Sequence, residues 1–166
     1  MDIIIERAHS NDAPSLLKYF KQIGKETDNL SFGKEGLSFT VEDETNYIRN
    51  IEKSIDNILL VAKQNNIIIG TASLNRLPRR MNHRGEFSVS IMKKYWNKGI
   101  GSKLTSEIIK FAKSNFFEII ELQVRTDNIV AIHLYEKFGF KKFGTHPAFF
   151  KINNQEISFD YMYLSI

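Results

Sequence analysis

Apolar residues recur along this chain with two periods, and each switch between them marks a change of element. Ile3, Ile4 and Ile5 form a short run that predicts a strand. Ser10, Asn11 and Asp12 ahead of Ala13 and Pro14 then give the polar cap and early proline of a helix start, followed by Leu16, Leu17 and Phe20. From Gly24 to Thr40 the periodicity lapses around isolated Phe32, Leu37 and Phe39, which predicts a long loop or a broken helix pair. A second helix is expected from Glu42 to Ser54, with Tyr47, Ile48 and Ile51 on one face and Thr40 as its cap.

Ile58 to Lys63 and Ile67 to Leu74 are β-branched runs parted by Gln64, Asn65 and Asn66, the signal of a hairpin. Glu86 to Met92 alternates Phe87, Val89 and Ile91 with Glu86, Ser88 and Ser90, as a strand should. A glycine turn at 99–101 leads into Leu104, Ile108, Phe111 and Ala112, the apolar stripe of a helix. Glu118 to Val124 is the next strand and Ile129 to Phe138 the next helix, closed by Gly139. Ile157, Phe159, Tyr161 and Tyr163 alternate through a last strand. The order is strand, two helices, three strands, helix, strand, helix, then one or two strands, without linker or repeat, so residues 1–166 read as one domain. It predicts an α/β (α+β) fold: a mixed, mostly antiparallel central sheet of six or seven strands flanked by about four helices.

Composition narrows the chemistry. The chain is 42% hydrophobic and 25% charged, with thirteen Phe and six Tyr, enough to order one sizeable core. The absence of cysteine excludes a disulfide framework, a thiolate zinc site and a cysteine nucleophile. A net charge of +4 invites a nucleic-acid reading, but the lysines and arginines are scattered, and the excess serves equally to attract an anionic cofactor with several phosphates. No metal-ligand spacing is present among the four histidines. The opening apolar run is broken by Asp2 and Glu6, too short for a signal-peptide core, and no run approaches the roughly 18 residues of a membrane span. A cytoplasmic chain with no membrane partner and no nucleic-acid partner is expected.

The most informative segment is Tyr95-Trp96-Asn97-Lys98-Gly99-Ile100-Gly101-Ser102-Lys103-Leu104, between a strand and a helix. Glycines there let the backbone approach an anion, and the first-turn amides of the helix add aligned donors. The alternative is a plain tight turn. A Walker loop fails because the glycines are only two apart, and a dinucleotide fingerprint fails because Leu104 stands where its third small residue is required.

At these residues the chain resembles the Gcn5-related N-acetyltransferase superfamily, whose cofactor loop reads Gln/Arg-x-x-Gly-x-Gly/Ala. Trp96 to Gly101 follow that loop, with Trp96 in place of the usual Gln or Arg. A second segment, Asn128, Ala131, Tyr135 and then Gly139-Phe140, is similar to the family's Asn-x-x-Ala-x-x-x-Tyr-x-x-x-Gly-Phe signature, and its offsets put Asn128, Ala131 and Tyr135 on one helical face. The resemblance implies an acyl-CoA N-acyltransferase fold and acetyl-CoA as cosubstrate, with no metal. It implies cofactor contacts at Ile91, Met92, Asn97, Lys98, Gly99, Ile100, Gly101, Ser102, Asn128, Ala131 and Tyr135. It further implies Tyr135 as the acid that protonates the departing sulfur, and Glu86 as a base acting through water.

Each assignment has a plainer counterpart. Tyr135 also suits an amphipathic core position and Glu86 a solvated strand end; a histidine such as His83, before this strand, could accept the proton instead, and His83, His133 and His146 equally suit a surface or packing role. Glu26, Asp28, Glu42, Asp43 and Glu44 flank the early loop, where they would suit a cationic acceptor such as a polyamine, or simply enrich a helix N terminus. The resemblance to spermidine and ribosomal-protein acetyltransferase branches leaves the acceptor as a small-molecule or peptide amine. A homodimer is compatible with the sequence but not required by it. The competing function is a non-catalytic acetyl-CoA-binding regulatory module.

Overall fold

Two hydrophobic sets, on opposite faces of one sheet, organise the chain. The structure, a computed structural model, describes residues 2–166. The strands are β1 (Ile4–Arg7), β2 (Asn57–Gln64), β3 (Ile67–Arg76), β4 (Arg84–Ile91), β5 (Ile119–Arg125), β6 (Lys141–Ile152) and β7 (Gln155–Ser165). The helices are α1 (Ala13–Glu26), α2 (Val41–Ile51), α3 (Ile100–Ser114) and α4 (Ile129–Lys137). The sheet runs β1-β2-β3-β4-β5-β7-β6, and every neighbouring pair is antiparallel except β4 with β5. This is the mixed, mostly antiparallel α/β arrangement that the pattern predicts. Among the described residues no helix is long and apolar enough to cross a membrane.

Alternation sorts the faces. Leu60, Ala62, Leu74, Phe87, Leu122 and Val124 pack with α3 and α4, whereas Leu59, Val61 and Ile68 pack with α1 and α2. Burying the two faces of a strand such as β2 under separate helix layers makes its run nearly continuous in apolar residues, as Ile58 to Ala62 is.

Local chemistry sets the connections. Asn65 and Asn66, like Asn153 and Asn154, hold positive φ (51° and 62°, 50° and 62°), the conformation that tight hairpins need and asparagine tolerates. The second of these turns joins β6 to β7, so the C-terminal strands number two. β6 escapes a period-two reading because its register shifts between Lys142 and Gly144 and again between His146 and Phe150. Thr40 caps α2: its hydroxyl accepts from the Asp43 amide at 3.1 Å, while the Asp43 carboxylate accepts from the Thr40 amide at 2.9 Å. The helix stops at Ile51, short of the expected Ser54, where the Arg7 guanidinium donates to the carbonyls of Glu52 (3.0 Å) and Ser54 (3.2 Å).

The segment 27–40 is a loop and not a helix pair. It folds back on α1 so closely that a Cβ on Gly24 would stand 1.9 Å from the Gly33 carbonyl oxygen. Leu30 and Phe32 pack on the α1/α2 core, with the Phe32 ring edge-on to Phe20.

β4 and β5 pair only at Arg84↔Ile119, Gly85↔Ile120 and Glu86↔Glu121. Beyond them β4 stays with β3 as far as Ile91, and β5 stays with β7 as far as Arg125. The two parallel strands therefore part inside the sheet, leaving backbone donors and acceptors on their facing edges without a strand partner.

Candidate active site

The parting of β4 and β5 opens a cleft of about 480 Å³ through the sheet. Its sides are β4 from Phe87 to Ile91 and β5 from Gln123 to Arg125. One end is closed by the loop before α3 together with α4. The other is closed by Ile23 of α1 with Thr27, Asn29 and Leu30 of the folded-back loop.

The loop before α3 is built for close approach. Asn97 and Gly99 both hold positive φ (60° and 76°), turning the chain sharply before the helix begins. The Lys103 amide closes the first turn onto the Gly99 carbonyl at 3.1 Å, and the amides ahead of it open toward the cleft at the positive end of the helix dipole. At Gly99 a Cβ would meet nothing within 4 Å. At Gly101 it would meet Leu134 Cδ2 at 3.1 Å and Ile91 Cδ1 at 3.2 Å, so the absence of a side chain lets α3 sit against α4 and β4. Trp96, the departure from the Gln or Arg of the resemblance, donates its indole N–H to the Ile91 carbonyl at 2.7 Å and ties the loop to the end of β4.

Opposite stands α4. Asn128 caps it by accepting from the Ala131 amide at 3.3 Å, and Gly139, at φ 93°, follows its last turn. Tyr135 is 6% exposed, its ring edge-on to Phe87 at 6.0 Å and tilted against Phe140 at 5.8 Å. Its hydroxyl makes no hydrogen bond among the described residues, and no buried side-chain oxygen lacks a partner, so the hydroxyl opens on the cleft. Burial pushes its pKa well above the ordinary tyrosine value, which keeps the proton on the oxygen at neutral pH.

Of the residues that the sequence nominates, Ile91, Asn97, Gly99, Ile100, Gly101, Ser102, Asn128, Ala131 and Tyr135 line the cleft together. Three stand outside its lining. Met92 turns away, donating its amide to the Ile69 carbonyl at 3.0 Å and packing on the α1/α2 core. Lys98 reaches over the Tyr95 ring at 5.0 Å. Glu86 is exposed at the last position where β4 pairs with β5, on the same face as Ser88 and Ser90, because the β3/β4 register runs unbroken there. Among the histidines only His133 lines the cleft; the His83 carbonyl accepts the Glu118 amide before β5, and His146 accepts the Ala148 amide in β6.

Three of the five early acids are engaged elsewhere. Glu26 accepts the Lys93 amide at 2.7 Å and the Gln22 side chain at 2.8 Å, and Asp43 caps α2. Glu44 is buried beneath α2, where desolvation raises its pKa. Asp28 and Glu42 do not line the cleft.

Residues that sequence reasoning passed over complete the walls. Gln123 and Arg125 lie two apart on one face of β5. The Ser90 hydroxyl is bonded to Tyr19 at 2.9 Å and to Thr71 at 3.1 Å, which fixes the polar side of β4 to α1. The one available signal for Gln123 and Arg125 was their place on the strand leading into Asn128; nothing local marks Tyr19 or Leu30, which approach through the fold.

A profile of the Acetyltransferase (GNAT) family matches residues 26–140. The crystal structure of a GNAT-family acetyltransferase from Streptococcus pneumoniae superposes with a TM-score of 0.95 at 30% identity, covering 99% of this chain and 100% of that one. The N-alpha-acetyltransferase RimI of Mycobacterium tuberculosis is 28% identical over 57% of this chain and 59% of its own length. The L-amino acid N-acetyltransferase AaaT of Escherichia coli is 32% identical over 62% of this chain and 65% of its own length.

Proposed function

The chain belongs to the acetyltransferase (GNAT) family, and from that premise we propose that it carries the acetyl group of acetyl-CoA to a primary amine of a small molecule or peptide by direct attack. One observation supports the reading above the rest. The gap between β4 and β5 has the open amides of α3 on one wall and the unbonded Tyr135 hydroxyl on another. The residues suit such a cosubstrate: the Gly99 position has space where a side chain would stand, and backbone donors sit at a helix N terminus suited to a pyrophosphate.

Acetyl-CoA supplies an activated acyl group on a thiol leaving group. The α3 amides, with Ser102 and with Lys137 at 3.5 Å from its hydroxyl, hold the anionic end. The facing edges of β4 and β5 hold the extended arm by main-chain hydrogen bonds, as an added strand would be held. The amine enters from the α1 side past Leu30 and Ser90. The lone pair of the neutral amine forms the new C–N bond as the C–S bond breaks, Tyr135 gives its proton to the sulfur, and the proton lost by the acylated nitrogen returns through water to the Tyr135 oxygen.

The test is a thiol-release assay across several classes of amine beside a CoA titration. Amine-dependent release is the expected result. Saturable CoA binding with no release for any amine would instead identify a regulatory module, and no CoA binding at all would defeat the reading.

A further inference from the structure

The ionisable side chains on the walls of the cleft are Tyr95, Arg125, His133, Tyr135 and Lys137; among the described residues no aspartate or glutamate lines it. Of the carboxylates around it, Glu121, Asp127 and Glu26 are committed, while Asp28, between the lining residues Thr27 and Asn29, and Glu86 face solvent. Glu121, on the face of β5 shared with Gln123 and Arg125, is held by the Arg84 guanidinium at 2.6–3.0 Å. Asp127 is taken by Arg125, at 2.7 Å to Nε and 3.1 Å to Nη2. Glu26 is taken by the Lys93 amide, and Glu86 stands exposed off the cleft. On the acceptor side β5 presents instead the neutral amide of Gln123, which makes no side-chain hydrogen bond among the described residues, and the guanidinium of Arg125, paired with Asp127. His133 and Lys137 belong to α4, across the sheet from the Ile23 to Leu30 wall.

Resting on the acetyl-transfer reading above, we propose that the acceptor is an α-amine next to a carbonyl group, as at a peptide N terminus or in an amino-acid amide, and that Gln123 and Arg125 select it against polyamines and lysine side chains. An acceptor with a second cation finds no aspartate or glutamate on the cleft walls to replace its hydration, and Arg125, already paired with Asp127, offers it none. With no carboxylate to take the ammonium proton, the reaction draws on amine that is already neutral. At about pH 7.5 an α-amine of pKa about 7.7–8.0 is roughly a third neutral, whereas an ε-amine of pKa about 10.4 is roughly 0.1% neutral, a difference on the order of 200-fold. The apolar and amide groups of Ile23, Asn29 and Leu30 on the facing wall suit the uncharged backbone that follows such an amine.

The experiment offers a hexapeptide with a free N terminus and one internal lysine, its Nα-blocked form, an amino-acid amide and spermidine, and reads the acetylated position by mass spectrometry. The expected result is kcat/KM at least about 100-fold higher for the N-terminal amine than for the lysine at about pH 7.5, the ratio shrinking as pH rises toward the ε-amine pKa. Gln123→Glu is expected to raise spermidine turnover relative to the peptide by about 10-fold, since it places an anion and a base in the acceptor end. Preference for spermidine or the blocked peptide overturns the acceptor assignment while leaving the acetyl-transfer reading intact. An unchanged spermidine-to-peptide ratio in a folded Gln123→Glu protein overturns the role of Gln123. Transfer to no amine removes the acetyl-transfer reading and this inference with it.

Discussion

Tyr135→Phe removes one oxygen atom and isolates its role. The ring keeps its packing against Phe87 and Phe140. The hydroxyl has no protein partner to strand, so the change in stability should stay within about 0.5 kcal/mol. The groups proposed to hold CoA are main-chain amides at the start of α3, so CoA affinity should be preserved as well. Turnover should behave differently. The raised pKa keeps Tyr135 protonated and able to donate to a thiolate, and loss of a positioned general acid costs roughly 10² to 10⁴ in rate, or about 3 to 5 kcal/mol of barrier. Tyr135→Ala supplies the contrast, because emptying the site beside Phe87 and Phe140 should cost about 3 to 5 kcal/mol of stability. Steady-state kinetics, CoA titration and melting on both variants separate the cases. Near-normal turnover in a stable Phe variant would refute the acid role and reduce Tyr135 to packing.

Two other expectations follow from the same geometry. Gly99→Val should weaken CoA binding sharply, since it forces a β-branched residue to φ 76° and projects it into open space before α3; Gly101→Ala should cost about 1 to 3 kcal/mol of stability by pressing on Leu134 and Ile91, and Lys98→Ala should be mild. Calorimetric titration checks these, and unchanged affinity in the Gly99 variant would make the loop a turn and no more. Burial also raises the pKa of Tyr19, as it does that of Tyr135. Above about pH 10 the unfolded chain releases both phenolic protons while the folded chain keeps them, so stability should fall with rising pH by up to about 1.4 kcal/mol per unit for each tyrosine. Urea unfolding followed from about pH 9 upward should show that loss shrink in Tyr135→Phe, and an identical alkaline slope would contradict it.

What could be read from the sequence divides along physical lines. Local signals survived folding: the capping box at Thr40, the paired asparagine turn at Asn65 and Asn66, and the stripe of α3 are set by residues within a few positions of one another. Met92 and Lys98 show where local reasoning stops. A strand end and a turn can each send a side chain either way, and here the Met92 side chain packs on the α1/α2 core and Lys98 reaches over the aromatic face of Tyr95.

The separation of β4 from β5 was not legible, because both strands keep a regular polar and apolar alternation; only their pairing partners reveal that they part after Glu86. The early acids looked like a cationic-acceptor wall by position along the chain. Capping, a bond to the Lys93 amide and burial under α2 account for Asp43, Glu26 and Glu44 in three dimensions. β6 was hidden by two register shifts that spoil its alternation.

The central claim, acetyl transfer through this cleft, is tested most directly by following an isotopically labelled acetyl group. Labelled acetyl-CoA, enzyme and a peptide with a free N terminus are mixed, and label in the peptide is counted against free CoA as both appear. The account predicts equal amounts of acetylated amine and free CoA, with no label on the protein when the acceptor is withheld. Free CoA released without labelled amine, or a stable acetylated enzyme on the path to product, would contradict it.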